Sequence, residues 1–172
     1  DEAVADAEPG TPIVLVGHSL GGFVATAWAQ RHPAALAGLV LVGAMADPRR
    51  HRVLTRAYTD FARLLPVVGP QRMAVAANTV LRVMGLRGDM IPDATGYAVA
   101  PAAWHAIVSE AGAHQLPDVG CPVWLVAGGL DQLAIDTRWY ARAARDARVV
   151  LVPGATHLLP FTHRRRLAAV IS

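Results

Sequence analysis

The pentapeptide Gly17-His18-Ser19-Leu20-Gly21, with Gly22 next to it, has the G-x-S-x-G spacing of a nucleophile elbow. A serine held on a tight strand-to-helix turn needs neighbours without bulk, because a β-carbon at the glycine positions is expected to collide with the adjacent strand or helix. Such a turn presents the hydroxyl outward and brings the first amides of the following helix near the reacting atom, where their dipole favours a developing oxyanion. A serine hydroxyl is a poor nucleophile at neutral pH unless a histidine takes its proton, and the histidine needs a carboxylate to fix its tautomer.

Both partners are sought downstream. His157 stands in PGATHLLP (153–160), between Pro and Gly signals and just past an apolar run. Asp131 stands in GGLDQ (128–132), just past another. Asp47 follows a third apolar run and is a rival for the acid, whereas Asp136 reads as the cap of the next helix. Among the remaining histidines, His18 belongs to the elbow and reads as packing. His32 ends a helix, His163 starts one, and His51, His105 and His114 fall in a long insert. Cys121, the single cysteine, precedes Pro122 at a strand start and reads as a small buried thiol.

These residues need elements to hold them. Ile13–Gly17 (IVLVG), Leu39–Val42 (LVLV), Val123–Ala127 (VWLVA) and Val149–Val152 (VVLV) are short β-branched apolar runs, the pattern of buried strands. Gly21–His32 places Val24, Ala27, Trp28 and Arg31 at helical spacing before Pro33, and Asp136–Ala147 and Thr162–Ile171 are helical in composition. Strands alternating with helices predict an α/β fold with a predominantly parallel sheet and crossover helices. In a parallel sheet the carboxyl ends of the strands share one edge, where ligands bind, so Ser19, Asp131 and His157 converge there in that chain order. The insert from about Asp47 to Gly120 is too long for an ordinary connection. It is expected to be a helical cap, with helices over Arg49–Leu65, Gln71–Met84 and Ala102–Ala111 and a break at LPVVGP (65–70). The domain reading is therefore a core of residues 1–46 and 119–172 and a cap of residues 47–118.

Composition excludes several function classes. All sixteen cationic side chains are arginine and 33 residues are alanine, so the net charge of +3 reads as codon bias rather than as a nucleic-acid surface. Pro48–Gly88 holds eight arginines against Asp60 alone, but no nucleic-acid motif accompanies them. The longest run of apolar and small residues, Ala34–Ala46, is 13 long, short of the roughly 18–20 that span a bilayer. The acidic start DEAVADAEPG is unlike the basic, then apolar, opening of an export signal, and the lone cysteine suits a reducing compartment, so the expected location is cytoplasmic.

GHSLGG (17–22), CPVWLVAGGLD (121–131) and VPGATHLLP (152–160) together resemble the nucleophile, acid and histidine blocks of the α/β-hydrolase fold superfamily. The resemblance covers most of the chain. It implies a partial α/β-hydrolase fold with Ser19 as nucleophile, His157 as general base, Asp131 as its orienting acid and the Leu20 backbone amide as half of the oxyanion hole, with no metal or organic cofactor. The insert falls where the family carries its cap. In the family, several strands and helices precede the elbow strand, and a loop among them supplies the second oxyanion amide. Here twelve residues precede Ile13, and DEAVADAEPG is similar to the tail of the helix that leads into that strand.

The implied activity is ester or lactone cleavage through an acyl-enzyme, and the insert, rich in Leu, Val, Met and Ala, points to a small to medium, apolar carboxylic ester or lactone as substrate. The partner is a small-molecule ester. The same triad would also serve cofactor-free perhydrolysis or thioester cleavage, and a non-catalytic or truncated domain is the alternative reading. An unpaired elbow strand is expected to expose an apolar edge open to self-association.

Overall fold

A computed structural model of the chain describes residues 8, 10–83, 91 and 93–171. Four strands, β1 (Val14–His18), β2 (Gly38–Val42), β3 (Val123–Gly128) and β4 (Ala147–Val152), form one sheet in that spatial order, with every neighbouring pair parallel. Parallel neighbours cannot be joined by a tight turn, so each connection carries a helix. Helix α1 (Leu20–Arg31) joins β1 to β2, and α5 (Thr137–Ala143) joins β3 to β4. After β4 come the short α6 (Leu159–Thr162) and α7 (Arg164–Ile171). The long connection between β2 and β3 holds α2 (Arg52–Val68), α3 (Pro70–Val83), α4 (Ala94–Glu110) and a 3₁₀ helix, Ala113–Asp118.

The chain divides into two compact units, Asp1–Asp47 with Ala111–Ser172, and Pro48–Glu110. In the first, β2 is buried along its whole length, and the side chains of Leu39, Val40, Leu41 and Val42 are the centre of the core. On one face Val40, Val42, Val126 and Val152 pack with Ala155 and Leu159, and α7 contributes Leu167 and Val170. In the second unit Leu65, Ala74 and Tyr97 pin α2, α3 and α4 together, and the Tyr97 hydroxyl donates to Asn78 Oδ1 at 2.9 Å. Trp104 donates to Thr59 Oγ1 at 3.0 Å, and α2 and α4 leave a cavity of about 370 Å³ lined by Thr59, Ala62, Arg63, Pro66, Pro101, Trp104, His105 and Val108. No helix among the described residues is long and apolar enough to cross a membrane.

Several sequence expectations need correction. The outer strands are not buried on both faces: Val14 and Val16 of β1 and Val149 and Leu151 of β4 are exposed, because among the described residues each has a neighbouring strand on one side only. The break expected within LPVVGP (65–70) is there, but the helix before it does not end at Leu65, ahead of Pro66. Helix α2 runs through it to Val68 and stops at Gly69, whose φ of 91° is the left-handed conformation that ends helices and whose amide donates to the Leu65 carbonyl. Pro101 likewise lies inside α4 rather than before it, because Asp93 starts the helix a full two turns earlier, its carboxylate accepting from the Gly96 amide at 2.9 Å. Helix α5 ends at Ala143, since the register Val123↔Ala147 draws the following residues into β4. The expected helix over Gln71–Met84 is α3 as far as Val83, and Met84 lies outside the described residues. The expected helix tail in DEAVADAEPG falls almost wholly on residues 1–7 and 9, also outside them.

Candidate active site

Ser19 follows the last residue of β1 and precedes the first of α1, and its backbone has φ 53° and ψ −123°. It is the sole non-glycine residue with positive φ among those described, and such a conformation costs of the order of 1–3 kcal/mol unless its surroundings hold it. Here they do: the Ser19 amide donates to the Val42 carbonyl, and the Gly22 amide donates to the Ser19 carbonyl, each at 2.9 Å. A serine at a helix N-cap ordinarily spends its hydroxyl on the helix amides. Ser19 makes no such bond, because the positive φ aims its Oγ elsewhere.

Gly17 is the glycine that this turn requires. A β-carbon there would lie 2.6 Å from the Gly21 carbonyl oxygen and 2.8 Å from Ala25 Cβ, so α1 could not approach β1. The expectation does not extend to the other two glycines: a β-carbon at Gly21 meets nothing within 4 Å among the described residues, and one at Gly22 makes ordinary contacts at 3.8 Å.

Asp131 sits three residues past the end of β3 in a turn that immobilises it. Its amide donates to the Gly128 carbonyl, and its Oδ1 accepts from the amides of Leu133 at 2.9 Å and Ala134 at 3.2 Å. His157 sits five residues past β4. Its loop crosses the end of β3 so closely that a β-carbon at Gly128 would run into the Ala155 carbonyl. The two side chains meet: His157 Nδ1 is 3.1 Å from Asp131 Oδ1 and 3.0 Å from Oδ2. On the other side of the ring, Nε2 is 2.8 Å from Ser19 Oγ.

The proton positions follow from chemistry. A carboxylate only accepts, so Nδ1 carries the hydrogen, and the neutral ring then accepts the Ser19 O–H at Nε2. The Asp131 side chain is 1% exposed. Burial opposes its ionisation, but the hydrogen bonds from His157 and from the Leu133 and Ala134 amides outweigh that, and the carboxyl titrates below its ordinary range. The Leu20 amide is the first of α1 and so has no intrahelical acceptor, which leaves it oriented beside the serine.

The rival acid is committed elsewhere. Asp47 is buried, its Oδ2 accepting from the Ala113 amide at 3.0 Å and its own amide donating to Asp136 Oδ2 at 2.8 Å. Asp136 stands at the N-cap position of α5, but its side chain makes no capping bond; the bond to Asp47 takes that place. Cys121 is buried, and burial raises its thiol pKa, so it stays protonated.

Beside the Ser19, Asp131 and His157 side chains, Gly43 was not singled out in the sequence, and His18 does more than pack. Gly43, immediately after β2, has φ 56°, and a β-carbon there would lie 3.1 Å from Asp131 Oδ2 and 3.2 Å from His157 Nδ1. A glycine directly after an apolar strand was the signal for it. His18, read as packing, has its Nε2 2.9 Å from the His157 carbonyl oxygen and its ring centroid 5.0 Å from that of His157.

Known proteins share this framework. The family model described as "Alpha/beta hydrolase family" matches residues 1–170. A pimeloyl-[acyl-carrier protein] methyl ester esterase of Chromobacterium violaceum is 29% identical over 185 residues, which cover 95% of this chain and 71% of that protein. The protein of the same name from Neisseria meningitidis serogroup A is 26% identical over 190 residues, 98% of this chain and 60% of that protein. The solved structure of a thermophilic esterase from Thermogutta terrifontis superimposes with a TM-score of 0.67 at 27% identity, over 93% of this chain and 63% of that one. The chain thus spans 60% of the Neisseria relative and 63% of the Thermogutta structure.

Proposed function

Because the chain belongs to the alpha/beta hydrolase family, we propose that it is a serine hydrolase that cleaves a carboxylic ester or lactone through an acyl-enzyme. The observation that carries this reading is the unbroken line of hydrogen bonds from Ser19 Oγ through His157 to Asp131, at 2.8 and 3.0 Å. In it Ser19 Oγ attacks the substrate carbonyl carbon while its proton passes to His157 Nε2. Asp131 keeps the imidazole in the accepting tautomer and stabilises the imidazolium that forms. The Leu20 amide, at the positive end of α1, donates to the carbonyl oxygen as it becomes an oxyanion. His157 then returns its proton to the departing alkoxide. A water deprotonated by the same ring releases the acid and restores Ser19.

The names of the relatives support an ester as substrate, since esterases recur among them. Within Pro48–Glu110, the cavity is lined by Ala62, Pro66, Pro101, Trp104 and Val108 together with Thr59, Arg63 and His105, an apolar majority that suits an apolar group, and in this reading these helices are the cap that selects a small to medium acyl chain. Across p-nitrophenyl esters from acetate to decanoate, turnover is expected to peak at short to medium chains. A rate still rising at decanoate would remove that preference.

The test of the mechanism is a fluorophosphonate probe, which forms a covalent bond with an activated serine. Wild-type protein is expected to be labelled and Ser19→Ala not. A folded wild-type sample that takes up no label would overturn the reading.

A further inference from the structure

His18 and Ser19 are consecutive, yet they grip His157 at two different points. Ser19 Oγ donates to the ring at Nε2, and His18 Nε2 lies 2.9 Å from the backbone carbonyl of the same residue. A carbonyl oxygen only accepts, so His18 must carry its hydrogen on Nε2. The His18 ring leans on that of His157 at 5.0 Å and a tilt of 37°, and Phe161 of α6 meets it edge-on at 6.5 Å. Asp131 and Ser19 hold the two ring nitrogens of His157, but neither fixes the backbone from which the ring hangs. The His18 bond to the His157 carbonyl supplies that backbone attachment.

We propose that His18 is a positioning residue for the His157 imidazole, its Nε2–H tying the end of β1 to the histidine loop so that the nucleophile and the base move as one body. This inference rests on the triad reading above. It goes further in assigning a specific task, and a specific tautomer, to the second residue of the elbow. The charged and titratable groups that face His18 are His157 and Asp131. Burial is the largest influence on the ring and holds its pKa below 6.5, and the charge of a protonated His157 acts in the same direction. Hence His18 is neutral when the enzyme works. It places no second positive charge beside the ring that must receive the Ser19 proton.

The test has one arm that does not depend on turnover. In the 172-residue chain labelled with ¹⁵N-histidine, long-range ¹H–¹⁵N correlation spectra at pH 8 are expected to show His18 neutral with hydrogen on Nε2. A ring with its hydrogen on Nδ1 would overturn the proposal, whether or not the chain hydrolyses esters. The kinetic arm compares His18→Leu, which lacks the donor, with His18→Gln, whose amide restores an N–H at a similar reach. With p-nitrophenyl butyrate, His18→Leu is expected to lose about tenfold in kcat with KM unchanged, the scale of one net hydrogen bond. His18→Gln should recover most of it. Equal kcat in wild type and His18→Leu, or a His18→Gln variant as slow as His18→Leu, would overturn the donor role. Failure of the wild type to hydrolyse any ester would instead count against the triad reading, and the spectra would still decide the tautomer. Should His18→Leu fold poorly, the Gln variant compared with wild type, together with the spectra, carries the decision.

Discussion

Asp131→Asn isolates the electrostatic part of the mechanism with almost no change of shape. In the native site both carboxylate oxygens face His157 Nδ1, at 3.1 and 3.0 Å, and Oδ1 also holds the Leu133 and Ala134 amides. Asparagine can keep those two amides with its Oδ1. Its NH2 then faces Nδ1 in place of Oδ2, a donor against a donor, while Oδ1, 3.1 Å from Nδ1, is already shared between two amides; the ring relieves the clash by moving its hydrogen to Nε2. In that tautomer it cannot accept the Ser19 proton. The charge is lost as well: a carboxylate and an imidazolium about 4 Å apart attract by about 4 kcal/mol at an effective dielectric of about 20, which is about three decades in rate. The expected fall in kcat for p-nitrophenyl butyrate is therefore about 10³–10⁴-fold with KM little altered. Asp47→Asn, whose side chain keeps an acceptor for Ala113, should stay within about threefold of wild type. ¹⁵N spectra of Asp131→Asn should show the His157 hydrogen transferred to Nε2. An Asp131→Asn enzyme within tenfold of wild type, or an Asp47→Asn enzyme as slow as the reasoning makes Asp131→Asn, would refute the assignment of the acid.

Two further outcomes follow from the same geometry. Gly43→Ala would put a methyl group 3.1 Å from Asp131 Oδ2 on a backbone at φ 56°, so kcat should fall by roughly tenfold or more while thermal unfolding shows a loss of only about 1–2 kcal/mol; unchanged kcat would mean that the pair tolerates displacement. For stability against pH, the folded His18 has a pKa below the 6.5 of the unfolded chain, so the unfolded state binds more protons in that window. Urea unfolding should therefore show full stability above about pH 6.5 and a decline as the pH falls below it, a slope that His18→Gln should reduce. Asp131 acts further down. Its folded pKa lies below 3.8, so its contribution is present above that pH and is lost as the pH drops through the folded value. A stability curve flat from pH 8 to pH 4 in the wild type would contradict the burial of His18.

The chain's own residue order carried much of this. Four short β-branched runs, a Gly-x-Ser-x-Gly between a strand and a helix, and Asp131 and His157 each just past a strand are local patterns. Local sterics and strand length are enough to place them on one edge of a parallel sheet. Choosing between Asp131 and Asp47 was beyond such patterns, because both follow a strand. The choice depended on hydrogen bonds to residues far away in the chain, Ala113 and Asp136 for one and His157 for the other. The roles of Gly43 and His18 are equally non-local, since what surrounds them arrives from residues 131 and 157. Helices α2 and α4 pass through Pro66 and Pro101 although the local rule predicts breaks there. Capping by Asp93 and packing of Leu65 against Tyr97 and Ala74 offset the lost backbone bonds. Sequence determined which residues could form a triad and in what order. Only the tertiary structure shows which carboxylate lies against His157 and what bonds to that residue's backbone, because those contacts join strand ends far apart in the chain.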